Sequence, residues 1–234
     1  ELMGRMSEQA PNFFFVDIQG PELEGFRKIV LDIDPKGKLI EAPMLRGRIV
    51  AFNGEDVTKM KVPAAGQWVL RGDRGITYAD TVPENASVTE GKWWDKDYSG
   101  EPLVSFSEEE GKALGLKLGD AITVNVLGRN LTARIANLRR VEWETLSINF
   151  VMVFSPNTFA GAPHAWLATL TDRQATPADE SRILNAVTRA FPTVTTVRVK
   201  DALDVVNRLV AQLGTAIRAA PSVALVASVL VLAG

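Results

Sequence analysis

Hydrophobic and polar positions follow two rhythms along this chain. Residues 13–18, Phe-Phe-Phe-Val-Asp-Ile, form a short apolar run with the length of a buried strand. Leu23, Phe26, Ile29 and Val30 then recur at helical spacing behind Pro21, a residue suited to a helix's first turn. Asp34-Pro-Lys-Gly37 reads as a turn, residues 39–52 as an extended strand bent near Pro43, and Asn53-Gly54 as the next turn. The same texture returns late, with apolar runs at 150–154 and 165–171. An amphipathic helix from Pro177 to Phe191 runs through Ile183, Leu184 and Val187, and a strand follows over 194–199. In between, residues 55–105 are rich in Gly, Pro and Asp, with strands expected at 67–70 and 75–78. Ser107 and Glu110 have the spacing of a capping box, opening a short helix that Gly115 ends. Residues 121–127 and 131–141, linked by Gly128-Arg-Asn130, read as a hairpin.

Strand–helix–strand stretches on either side of a β-rich middle predict an α+β fold. Its core is a discontinuous domain, residues 11–55 plus 146–200, with ferredoxin-like βαβ halves; residues 56–145 are an inserted β-rich module. Leu203, Val206, Val210, Leu213 and Ile217 step by 3, 4, 3 and 4, a heptad seam on a helix expected over 201–221, a rod of roughly 30 Å. That helix leads into residues 222–234, thirteen positions without a charge. Thirteen is short of the ~20 needed to span a bilayer, yet the run meets the end of the sequence rather than a polar residue. It is expected to be the start of a truncated membrane helix, with a buried C-terminal helix as the alternative. Leu2, Met3 and Met6 predict that residues 1–10 are the end of a preceding stalk helix, stopped by Pro11.

Composition narrows the chemistry. The 234 residues hold 26 Lys+Arg against 28 Asp+Glu, one His and no Cys. Disulfides, thiolate metal sites and a cysteine nucleophile are excluded, and a net charge of −2 offers no electrostatic footprint for nucleic acid. A triad or a histidine metal site must use His164, in the loop Gly161-Ala-Pro-His-Ala, with no second His and no G-x-S-x-G elbow. Asp95/Asp97 and Glu142/Glu144 are i, i+2 pairs; paired carboxylates can do acid–base work, but solvated surface is far more common and nothing distinguishes these. Gly-Lys occurs at 37–38, 91–92 and 111–112 without the flanking residues of a P-loop. Arg71-Gly-Asp73 reads as a turn between strands, and Asn85 and Asn130 match the glycosylation pattern. No cofactor or metal site and no enzymatic activity is expected. Trp93, Trp94 and Tyr98, in a loop of charged residues, are the candidate partner or substrate contact. The alternative is that the indoles plug the end of the β module.

Several segments together resemble a known family: Arg46-Gly-Arg-Ile49 with Phe52-Asn-Gly54, residues 70–78 leading to Val82-Pro-Glu-Asn85, Glu90-Gly-Lys-Trp-Trp94, Ala113 to Asp120, Val141-Glu-Trp-Glu144, and Ile148 to Pro156. Their order and spacing resemble the extracytoplasmic domain of FtsX/MacB-like ABC transporter permeases, in particular the YbbP-type branch. The resemblance implies a porter-like core, a sabre-like β insert and stalk helices entering the membrane. It places the domain on the periplasmic side of a bacterial inner membrane. It also implies a cytoplasmic ABC ATPase subunit as partner, membrane helices of the same chain, and a role in moving hydrophobic or lipid-like cargo or transmitting force to a periplasmic partner. It supplies no catalytic residues. The competing expectations are a soluble periplasmic binding module and, behind it, a hydrolase using His164.

Overall fold

The computed structural model describes residues 10–213 apart from Glu144. The expected stalk end at 1–9, Glu144, Ile217 and the apolar run 222–234 lie outside the described residues. In chain order the elements are β1 (Phe13–Gln19), α1 (Leu23–Ile33), β2 (Lys38–Phe52), β3 (Glu55–Asp56), α2 (Ala64–Leu70), β4 (Arg74–Tyr78), β5 (Ala86–Gly91) and β6 (Leu103–Ser107). There follow α3 (Glu108–Ala113), β7 (Ala121–Val126), β8 (Arg129–Val141), β9 (Met152–Phe154), β10 (Ala165–Thr171), α4 (Pro177–Ala190), β11 (Thr195–Arg198) and α5 (Val199–Leu213). The fold is mixed α/β. Its described residues divide into two compact units, 10–43, 143–148 and 164–213 in one, 44–142 and 149–163 in the other.

In the first unit β1 lies between β10 and β11 and runs antiparallel to both. Strict alternation along β1 would turn Phe13, Phe15 and Asp17 to the same face. A bulge between Phe15 and Ile18, with Asp17 at φ 64°, moves the aspartate off that face and admits Ile18. Phe13, Phe15 and Ile18 then pack with Phe26 and Val30 of α1, Leu170 of β10, and Ile183 and Val187 of α4. The Phe15 and Phe26 rings meet edge-on, 4.7 Å between centroids. Helix α1 stops at Asp34 because Pro35 disfavours helical geometry in the residue before it. Helix α4 starts at a complete capping box. The Thr176 hydroxyl accepts from the Asp179 N–H at 3.2 Å, and the Asp179 carboxylate accepts from the Thr176 N–H at 3.0 Å.

The second unit closes on itself. From Met44 onward β2 pairs with β4 and β7; β4 pairs with β9, β9 with β6, β6 with β8, and β8 with β7. The ring β2-β4-β9-β6-β8-β7 has no free edge, and β5 extends it from β8. Gly47 leaves room for its neighbours: a Cβ there would lie 2.9 Å from Ile76 Cδ1 and 3.0 Å from Val126 Cγ2, so those side chains would have to shift.

Closure of this ring alters the expected boundaries. Residues 44–55 and 149–154, read from sequence as part of the α+β core, lie in the second unit, because β2 and β9 fill places that no strand of 56–145 fills. Residues 67–70 are not a strand but the end of α2, which buries Gly66 and Val69, three positions apart. Gly66 sits against Leu114, so the segment is held by helical packing despite its Trp-Val-Leu composition. Arg71-Gly-Asp73 therefore joins a helix to a strand rather than two strands. Ser107 precedes α3 as expected but caps no N–H; its hydroxyl donates to the Glu110 carboxylate.

The β7–β8 turn is Leu127-Gly128, one residue earlier than the sequence suggests, with both residues at positive φ (52° and 79°). Leu127 is 65% exposed, so it meets the cost of left-handed geometry without burial in return. Leu127→Asn should stabilise the protein by about 1 kcal/mol, read as a higher urea midpoint. An unchanged midpoint would mean the turn relaxes around the leucine.

Candidate functional site

Two places carry the residues singled out from the sequence. The first is the loop after β5. Trp93 and Trp94 lie with ring centroids 4.1 Å apart, and both indole N–H groups are committed to the chain just beyond β4. Trp93 donates to the Asp80 carbonyl at 2.9 Å and Trp94 to the Ala79 carbonyl at 2.8 Å. Trp94 is 7% exposed, Trp93 and Tyr98 are half-buried, and Tyr98 donates to the Glu101 carbonyl at 2.7 Å. Lys92, Asp95, Lys96 and Asp97 are exposed around them. The loop is thus folded onto its own backbone, and its uncovered ring surface belongs to Trp93 and Tyr98.

The second place is α5, whose seam is graded. Leu203 is 9% exposed, Val206 and Val210 are half-buried, and Leu213 is 64% exposed. Val205 and Leu209 are exposed beside it. The root of the helix is fixed to the residue before β1 by the Val199 N–H, which donates to the Asn12 carbonyl at 3.0 Å. Among the described residues, no helix is long and apolar enough to cross a membrane.

The catalytic candidates sit in several settings. His164 is half-buried beside the Trp166 ring, 5.7 Å between centroids. Asp95, Asp97 and Glu142 are exposed. Asp73 pairs with Arg48 at 3.5 Å on the surface. Asn85 donates to Asn149, and Asn130 accepts from Asn125 at 2.9 Å. Among the described residues no group of three or more His, Cys, Asp or Glu could hold a metal ion.

Sequence reasoning missed a buried polar network inside the second unit. Arg139, on β8, is 1% exposed. Its guanidinium donates to the Ser105 carbonyl at 2.7 Å, the Ser105 hydroxyl at 3.2 Å and the Val151 carbonyl at 3.3 Å, and also to the Phe150 carbonyl. Burial pulls the guanidinium down to about 9, while the Glu110 charge acts in the opposite direction. The Ser105 hydroxyl donates to Asn137, whose amide donates to the Lys92 carbonyl at 3.2 Å, at the entrance of the tryptophan loop. Strict alternation from Ala133 and Ile135 would put Asn137 and Arg139 on the same face, but a register shift between Ile135 and Asn137 turns both toward the face of Ser105 and Ser107, while Leu138 joins Ile135 beside Val104 and Phe106.

No family model matches the chain. Over 200 residues it is 25% identical to an uncharacterized ABC transporter permease, YbbP, of Escherichia coli strain K12. The chain is related to an ABC transporter permease. The match takes in 83% of this chain and 23% of its relative, so the chain spans under a quarter of that protein. Among solved structures, the periplasmic region of MacB from Actinobacillus actinomycetemcomitans is 8% identical with a TM-score of 0.43, over 92% of this chain and 99% of the other. A domain described as that of a permease protein from Porphyromonas gingivalis is 11% identical with a TM-score of 0.40, over 81% and 87%. Both structural likenesses are loose, and the kinship with the permease rests on the sequence match.

Removing Arg139 would leave the carbonyls of Phe150 and Val151 and the Glu110 carboxylate without their donor or counter-charge. Arg139→Ala should cost about 3–5 kcal/mol, measured by urea denaturation. Arg139→Met with Glu110→Gln should recover part of that loss, since it removes the charge as well as its partner. Equal loss in the single and double variants would show that packing alone is at stake.

Proposed function

We propose that this chain is the extracytoplasmic domain of an ABC transporter permease, on the periplasmic side of a bacterial inner membrane. In this reading it couples ATP hydrolysis by a cytoplasmic ATPase subunit to export or extraction of a hydrophobic, lipid-like substrate, or to force transmission in the periplasm. The observation that carries the reading is the 200-residue match to a permease chain. The first unit, with its two strand–helix–strand stretches, takes the porter-like role, and the second the sabre-like role. The domain itself performs no turnover.

Helix α5 is the stalk. Its seam is covered at Leu203 and uncovered at Leu213, so apolar surface is left for a partner helix where α5 leaves the unit. That partner is the segment before residue 11 of the same chain, which enters β1 beside the first turn of α5, as the Val199–Asn12 hydrogen bond supports. Ile217 and residues 222–234, the expected continuation of the seam and of the helix, lie outside the described residues. A periplasmic partner or the substrate meets the aromatic loop through Trp93 and Tyr98, with Trp94 supporting them from beneath.

A stalk works by stiffness: a continuous helix carries displacement along its axis, and a proline in its interior breaks it at a cost of ~3 kcal/mol. Val210→Pro, placed in the complete permease reconstituted with its ATPase, should lower the amount of a fluorescent lipid moved per ATP hydrolysed while ATPase activity persists. Unchanged transport per ATP would reduce α5 to an anchor. His164→Ala should leave both rates near wild type. A loss of ~100-fold with the fold intact, the scale of removing a general acid–base, would favour a hydrolase instead.

A further inference from the structure

Two carboxylates meet near the root of α5. Asp34, where α1 stops, is 7% exposed, and among the described residues its Oδ2 has no protein donor. The turn folds over that oxygen: the Gly37 N–H donates to the Asp34 carbonyl at 3.1 Å. A Cβ on Gly37 would lie 3.0 Å from Oδ2 and 2.6 Å from Leu170 Cδ1, so the oxygen is packed beneath the turn against a leucine. The carboxylate of Asp172, in the turn after β10, is within hydrogen-bonding reach of Asp34. Burial raises the Asp34 carboxyl above its usual range, the hydrogen bond and charge of Asp172 raise it further, and the backbone N–H groups of Gly37 and Lys36 act against the rise.

No cation acts on Asp34 among the described residues. Asp32, Lys36, Lys38 and Arg173 are exposed on the flanking elements. Glu180 of α4 is buried and pairs with Arg198 of β11 at 3.3 Å. Asp172 is the one charged side chain among the described residues that acts on Asp34. A buried carboxylate oxygen facing a second carboxylate is stable when a proton sits between them.

We propose that Asp34 and Asp172 share one proton, Asp34 donating to Asp172, and that this bond is a pH-sensitive latch between the α1–β2 turn and the β10–α4 turn. The latch reaches α5 through Asn12. The Asp172 N–H donates to Asn12 Oδ1 at 2.7 Å, the Asn12 amide donates to the Asp172 carbonyl at 3.0 Å, and the Asn12 carbonyl accepts from Val199 at 3.0 Å. The proposal stands on this unit alone and needs no assumption about transport.

The sign follows from proton binding. The closed latch holds a proton that the open form, with its ordinary carboxylate pKa, has released. The latch is fully closed at acid pH and weakens as pH rises toward the raised pKa of Asp34. Across that window the opening constant should rise about tenfold per pH unit.

The test is amide hydrogen exchange at Asp172 and Val199 in the whole chain, between about pH 5 and 8, corrected for the intrinsic pH dependence of exchange. Protection should fall with pH in the wild type and stay level in Asp34→Asn, which keeps a donor toward Asp172 but cannot ionise. Level protection in the wild type, or an equal fall in the variant, would overturn the proposal. Greater protection in millimolar calcium chloride than in a chelator would also overturn it, by putting a cation in the proton's place. Should Asp34→Asn fail to fold, the carboxyl carbon shift of wild-type Asp34 decides. It should remain that of an acid above the pH at which a free aspartate ionises, and ionisation at the free-aspartate pH would end the proposal.

Discussion

A closed ring of strands has no spare edge, and that requirement governs the second unit. Each of its six strands needs a hydrogen-bonding neighbour on both sides, wherever in the chain that neighbour is encoded. The middle of the sequence provides β4, β6, β7 and β8; the remaining places fall to β2, which precedes them, and β9, which follows. Strand β2 meets this demand by length. Its fifteen residues begin in the first unit and end in the second, and Gly47 is small enough to stand between Ile76 and Val126 within the ring.

Bringing β9 back into the ring takes more than strand pairing, because β9 is only three residues long. Arg139 holds the chain that leads into it by the carbonyls of Phe150 and Val151. A guanidinium suits this task, since its planar fork reaches several acceptors at once and a lysine ammonium does not match that geometry. The same side chain contacts Ser105 on β6, so three strands are referred to one rigid group. The network lies on the face of β6 and β8 that carries Ser105, Ser107 and Asn137, opposite Val104, Phe106 and Leu138, and the guanidinium answers buried carbonyls that are costly to leave unmet.

Much of the fold was legible because local signals agreed with one another. Phe13 to Ile18, the helix ending at Pro35, the Thr176 cap and the alternation of residues 121–126 each point to the element that forms. The errors arise where a tertiary demand outweighs the local one. Trp68-Val-Leu70 has the composition of a strand, but Val69 and Gly66 are buried on one helical face. Leucine is a poor residue for a left-handed turn, so Leu127 hid the hairpin's true apex. The aromatic loop was found from its composition, whereas the destinations of its two indole N–H groups, Ala79 and Asp80, depend on residues brought near by the fold. The Asp34–Asp172 meeting is of the same kind: nothing in either turn announces the other.

The central strand of the first unit has a consequence for synthesis. β1 is made well before its partners β10 and β11, which end at Thr171 and Arg198. At about 5–20 residues per second, a ribosome needs roughly 10–35 s to cover that distance. Phe13, Phe14 and Phe15 spend this interval with both hydrogen-bonding edges open, and Phe13 and Phe15 with no helix α4 to cover them. A triple phenylalanine in an unpaired strand is sticky, so a nascent chain of this design gains from a holding chaperone until its last strand emerges.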